Sequence, residues 1–238
     1  VLVATVRGLK AHSGKYRIVA GKPLPPELLA ENPGDVAAGA ANLRRQIANV
    51  RRHGVSPVVA VNAFPTDYAS EHQAILDIAA AEGAHAAVSH HFEKGGKGAA
   101  DLAEAVAAAC EEPGDFRMLY PDDAPLRDKV ETVAREIYGA DGVDFAPAAA
   151  RRLDAYQDGG FGSLPVCIAK THLSLSHDPA LKGAPTGWRL PVREARLSAG
   201  AGFVYLVCGD MRTMPGLSSA PAAERIDIDE QGRVVGLS

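Results

Sequence analysis

Short apolar runs alternate with helically spaced apolar residues along the first half of the chain. Val1 to Arg7 is apolar enough to read as a buried strand, which implies a chain that opens inside a fold. Residues 22–35, with Pro23, Pro25, Pro26 and Pro33, read as a loop. Val36, Leu43, Ile47 and Val50 recur on one helical face, so Val36 to Arg52 is a predicted helix that stops before Gly54. Val55 to Val61 is a valine-rich run of the kind buried on both faces of a sheet. A helix over Asp67–Glu82, a strand over Ala84–Ser89 and a helix over Ala99–Glu111 follow. This βαβα order predicts a parallel sheet with helices packed on it.

The second half is less regular. Helices are predicted over Pro125–Tyr138, closed by Gly139, and over Pro147–Gln157. Strands are predicted over Leu164–Ala169 and Val192–Leu197. Glycine-rich loops at 158–162 and 183–188 separate them, and the division between halves falls near residue 115.

Composition narrows the class. Of 238 residues, 47% are apolar and 23% charged, with a net charge of −4. That is a globular profile with neither a dense Lys/Arg run for nucleic acid nor a bilayer-length apolar stretch of ~20 residues. Cys110, Cys167 and Cys208 are far apart and form no CxxC pair, which points away from a metal site or disulfide framework and towards a reduced, cytoplasmic setting. The eight histidines form no HxH or HxxxH pattern, and no metal site is expected.

Three constellations could carry chemistry. Asn62, Phe64, Pro65 and Asp67 directly follow the buried strand, where open α/β sheets bind ligands. A carboxamide and a carboxylate there could read the edge of a purine; equally, they could form a stiff turn with Asp67 capping the next helix. Lys94-Gly95-Gly96-Lys97-Gly98 could cradle an anion on backbone N–H groups or be a solvated connection. No segment of the 238 residues matches the phosphate loop GxxxxGK(S/T). Phe161 and Trp188, the single tryptophan, lie in glycine-flanked loops, where they could sandwich a flat heterocycle or each plug its own loop onto the core.

Taken in order, these residues resemble the formate–tetrahydrofolate ligases. Val3-Ala4-Thr5-Val6-Arg7-Gly8-Leu9-Lys10-Ala11-His12-Ser13-Gly14 is similar to that family's signature VAT-(I/V)-RALK-x-(H/N)-GG, with Gly8 for alanine and Ser13 for the first glycine of the pair. The Asn62–Asp67 and His91–Gly98 elements, Ile137–Val143, Leu164–Thr171, Gly183–Gly187, Val192–Glu194, Leu197–Phe203, Thr213–Leu217 and Ile226–Asp229 resemble it in the same register. The resemblance covers essentially the whole chain and implies the C-terminal portion of a protein more than twice as long.

It further implies a P-loop NTPase-like α/β sheet over 1–115 without its phosphate loop, and a smaller folate-contacting α/β domain over 116–238. The implied activity joins formate to tetrahydrofolate using ATP with Mg²⁺, by way of formyl phosphate. Phe161, Pro185 and Trp188 would bind folate; Asn62, Phe64, Pro65 and Asp67 would border the nucleotide. Lys94 and Lys97 would face an anion or water. The resemblance also implies homo-oligomers, small-molecule substrates only, and a fragment inactive by itself. The alternative is a non-catalytic folate- or nucleotide-binding module.

Overall fold

The computed structural model describes residues 1–19, 22–209 and 221–236. The Thr213–Leu217 motif lies outside these residues. Three strands, β1 (Leu2–Ala4), β2 (Val58–Asn62) and β3 (His85–Ser89), form a parallel sheet in the order β1-β2-β3. The helices around it are α1 (Val6–His12), α2 (Pro26–Leu29), α3 (Pro33–Ala38), α4 (Ala40–Arg52), α5 (Ala69–Ala81), α6 (His91–Lys94) and α7 (Ala100–Glu111). The expected parallel sheet with flanking helices is therefore present. Val58 to Val61 is buried throughout, as its unbroken apolar pattern requires.

The opening segment departs from expectation. The strand ends at Ala4, and the chain turns helical at Val6 because the Thr5 hydroxyl accepts the Gly8 N–H at 2.9 Å. The predicted helix 36–52 is also broken, at Gly39. A Cβ there would lie 1.8 Å from the Leu9 carbonyl oxygen, so the glycine lets α1 cross directly over the junction of α3 and α4.

One buried ion pair knits this half together. Lys10, on α1, pairs with Glu71 on α5, and both side chains are 1% exposed. The ammonium also donates to the carbonyls of Leu28 and Ala30, at 3.1 and 2.7 Å. The carboxylate accepts the N–H groups of Asn32 and Tyr68. The proline-rich segment expected to be loop thus contains α2 and is fastened from within.

The second half contains α8 (Leu126–Thr132), which runs on as a π-helix to Tyr138 and is closed by left-handed Gly139 at φ 77°. It also holds α9 (Pro147–Tyr156) and a sheet of β4 (Gly142–Phe145), β5 (Val166–Ala169), β6 (Arg189–Ser198) and β7 (Phe203–Cys208). Their order is β4-β6-β7-β5: β6 and β7 pair antiparallel, and the two flanking pairs are parallel. β4 and β7 had not been expected as strands. A small hairpin joins β8 (Asp227–Ile228) and β9 (Val234–Val235).

Each sheet has its own apolar core, one drawn from residues between 4 and 84 and the other from residues between 126 and 208. The two halves touch through polar contacts. Arg45 and Asn49 of α4 donate to the Ile137 carbonyl at 3.1 Å each, and Asn42 donates to that of Gly183 at 3.2 Å. No helix among the described residues is long and apolar enough to cross a membrane.

Candidate functional site

In a parallel sheet all strands end on one edge, and the connections leaving that edge are free to bind ligands. Here β1 leads to Arg7, β2 to Asn62–Asp67 and β3 to His90–Gly98. The pairing Asn62↔Ser89 sets the last two side by side, and the Ala63 N–H donates to the Ser89 carbonyl at 3.1 Å.

The 62–67 loop is shaped by its own carboxylate. Asp67 accepts the Phe64 N–H at 3.0 Å and faces His72 at 3.2 Å, and its side chain is only 2% exposed. Asp67 therefore closes the loop and does not cap α5, whose first turn is held by Glu71. Arg7 lies over the Phe64 ring at 4.4 Å and donates to the Thr66 hydroxyl at 2.9 Å. Its Nε–H is buried and unpartnered among the described residues. Asn62 is half-buried at the strand end, and Pro65 is exposed.

The connection after β3 is a short helical turn, so His90 and His91 do not extend the strand. His90 begins the turn, and its N–H donates to the Gly98 carbonyl at 2.8 Å, folding 90–98 into a closed loop. Lys94 and Lys97 are exposed on it. Phe92 projects from the same loop at 80% exposure, the most exposed large apolar side chain among the described residues. Its exposure was not legible in the chain, because its neighbours His91 and Glu93 read as an ordinary polar connection. His72 and His90 meet edge to face at 6.4 Å, and the His91 ring contacts the Ser89 hydroxyl at 3.0 Å.

Phe161 and Trp188 are placed differently from the expected slot. Trp188 is 6% exposed within the second core, and its indole N–H donates to the Pro185 carbonyl at 3.0 Å. Its aromatic neighbour is His177, at 5.9 Å. Phe161 is half-buried and folds back to pack towards Gly159. No ring contact joins the two among the described residues. The indole packs the 183–188 loop onto the core.

The described residues contain no group of three or more His, Cys, Asp or Glu able to hold a metal ion. Asp67, in the loop after β2, is already engaged by an N–H and a histidine. These residues do not fit a Mg²⁺ cage of their own.

Fold and edge together define an α/β protein whose parallel sheet presents an arginine, an exposed phenylalanine and a histidine group at the carboxyl ends of its strands. The chain belongs to the formate–tetrahydrofolate ligase family, whose model matches residues 1–238. It is 71% identical over 238 residues to the formate–tetrahydrofolate ligase of Saccharopolyspora erythraea, covering all of this chain and 42% of that protein. It is 61% identical over 237 residues to that of Cutibacterium acnes and 57% identical over 239 residues to that of a Roseiflexus species, again covering 42% of each. The chain thus spans about two fifths of the length of these relatives.

Proposed function

We propose that the chain is the ring-binding part of an ATP-dependent ligase that converts formate and tetrahydrofolate to 10-formyltetrahydrofolate. In this reading a formate oxygen attacks the γ-phosphorus of ATP, ADP leaves, and formyl phosphate results. N10 of tetrahydrofolate then attacks the formyl carbon, phosphate departs, and N10 loses its proton. Such chemistry depends on positioning and on neutralising phosphate charge. Mg²⁺ would enter with the ATP phosphates, and no step is assigned to residues of this chain through it. The observation that carries the reading is the 71% identity along the whole chain.

The share of this chain is to hold a flat ring. Phe64, backed by Arg7, and Phe92 offer two aromatic surfaces on adjoining loops, with Asn62 and Pro65 beside them. Aromatic stacking favours such contact by ~0.5–1.5 kcal/mol beyond burial. Lys94 and Lys97 provide positive charge at the same edge. The reading includes a P-loop-like architecture for residues 1–115, a folate-contacting domain over 116–238, and a homo-oligomeric, cytoplasmic enzyme.

The test grafts the chain, wild type or variant, onto the remaining part of the Saccharopolyspora relative and measures formate-dependent ADP release and the two KM values. Phe92→Ala is expected to raise KM for the ring-bearing substrate held there about tenfold, equivalent to ~1.4 kcal/mol. An unchanged KM for both ATP and tetrahydrofolate overturns the edge assignment. If instead Trp188→Ala raises KM for tetrahydrofolate without loss of stability, Phe161, Pro185 and Trp188 form the folate platform. The isolated 238 residues, which contain no GxxxxGK(S/T), are expected to bind a ring but release no ADP. A graft that binds both rings yet never turns over favours the non-catalytic module.

A further inference from the structure

We infer that the cleft between the two halves of the chain is a separate binding site for a small molecule bearing a carboxylate or phosphate group, which Lys170 would hold. This cleft has a volume of about 280 Å³, the size of a small metabolite or of one end of a larger one. One wall is α1 and α4, with His12, Asn42 and Gln46; the other is Tyr138 and the segment after β5 that begins with Lys170 and Thr171. Neither wall contributes an aspartate or glutamate among the described lining residues.

The lining is rich in uncommitted donors. Lys170 gives two protons to the carbonyls of Thr171 and Ser174, which leaves the third without a hydrogen-bond acceptor among the described residues. Its ammonium lies 4.6 Å from the centre of the Tyr138 ring. Thr171 accepts at its hydroxyl oxygen from the Leu173 N–H at 3.2 Å, and its own O–H is uncommitted among these contacts. Gln46 receives at its carbonyl oxygen from Asn49 at 3.4 Å, which leaves its NH₂ group to give. His12 receives at Nδ1 from the Gly183 N–H at 3.3 Å, which fixes the proton of the neutral ring on Nε2. Burial and nearby Lys182 hold its pKa below the usual histidine value, so the ring stays neutral.

Three kinds of donor, from Thr171, Gln46 and His12, thus converge with a lysine and no carboxylate, the lining expected for an oxyanion. Burial holds Lys170 down to about 8, so its charge is poorly solvated, and an anion would restore the solvation it lacks. The walls are already tied together by Asn42, Arg45 and Asn49, so the donors are held in place before a ligand arrives.

The test uses the 238-residue chain, with inorganic phosphate and glutarate as probes at fixed ionic strength. Thermal unfolding and titration calorimetry compare wild type with Lys170→Met and Gln46→Leu. A saturable rise of several degrees in wild type is expected, with binding at least tenfold weaker in both variants. Should Lys170→Met not fold, Gln46→Leu and Thr171→Val carry the comparison. Binding of glutarate alone identifies a carboxylate ligand, and binding of phosphate alone a phosphate. No saturable response to either probe, or equal responses in wild type and variants, overturns the site. None of these readouts depends on turnover, so failure here leaves the ligase reading untouched.

Discussion

Each half of the molecule buries one lysine completely, and the two are solvated in opposite ways. Lys10 has a carboxylate partner, Glu71, together with two carbonyls. Lys129, at 0% exposure, has no carboxylate hydrogen-bonded to it among the described residues: it donates to the carbonyls of Asp122, Gly162 and Leu164, at 2.7, 2.8 and 3.1 Å, and lies 5.7 Å from the centre of the Tyr120 ring. Burial accordingly pulls the pKa of Lys129 below the ordinary lysine value, with Asp122 and Asp123 opposing it. Both lysines do the same architectural work, gathering loop carbonyls that no strand or helix satisfies. The first half links three helical segments around a compensated charge. The second half fastens irregular loops, including the one that bears Phe161, around a charge with no carboxylate hydrogen-bonded to it.

Removing the carboxylate should break the contrast most severely. Glu71→Gln leaves the Lys10 ammonium buried without its counter-charge and is expected to cost about 3–5 kcal/mol of stability, read by urea denaturation. A loss below ~1 kcal/mol would mean that the carbonyls alone suffice. Gly39→Ala tests the close crossing in the same half. Its methyl group must displace the Leu9 carbonyl, at an expected cost of about 1–3 kcal/mol by the same measurement.

Lys129→Met should cost less than Glu71→Gln, about 1–2 kcal/mol. Three carbonyls lose a donor, but a desolvated charge is removed as well. If it costs more, the carbonyl cage is the stronger device, and the comparison inverts.

The smallest effect is in pH. A lysine whose folded pKa is depressed binds a proton more readily when unfolded, so stability rises with pH between the folded and unfolded values. Lys170, at about 8 folded, makes stability climb from pH 8 towards its ordinary 10.5. Lys129 acts in the same sense. The Cys208 thiol, pushed up to about 12 by burial, opposes them above its ordinary value of 9.0. The expected profile therefore rises from pH 8 to 9 and flattens beyond. Lys170→Met should weaken the rise, and Cys208→Ala should extend it.

Much of this fold was legible in the chain. The run 55–61 read as a doubly buried strand, and its later part, Val58–Val61, is one; the helices predicted over 67–82 and 99–111 contain α5 and α7, which follow from their periodicity and stops. The opening was misread because apolar residues surround Thr5 from Val1 to Val6, and apolarity alone cannot show that Thr5 caps a helix. The 36–52 pattern ran straight through Gly39, since what breaks that helix is the Leu9 carbonyl, 30 residues away in sequence. The candidate site divided in the same way. Asn62–Asp67 stood out because it follows a strong strand. Phe92 and Arg7 were missed because nothing local distinguishes an exposed aromatic or a stacked guanidinium. Trp188 drew notice for its glycine neighbours, although its hydrogen bond to Pro185 and its burial make it part of the core.

The sequence by itself determined the family, the parallel α/β character of the first half and the strand whose end carries the Asn62 loop. These rest on local pattern and on many short motifs held in order. Only the tertiary structure decided which charges are compensated, which aromatics remain exposed and which donors converge between the halves. Each of those depends on residues far apart in the chain: Lys10 with Glu71, Arg7 with Phe64, Gln46 with Lys170. Burial and proximity are properties of the packed molecule, and no window of sequence contains both partners.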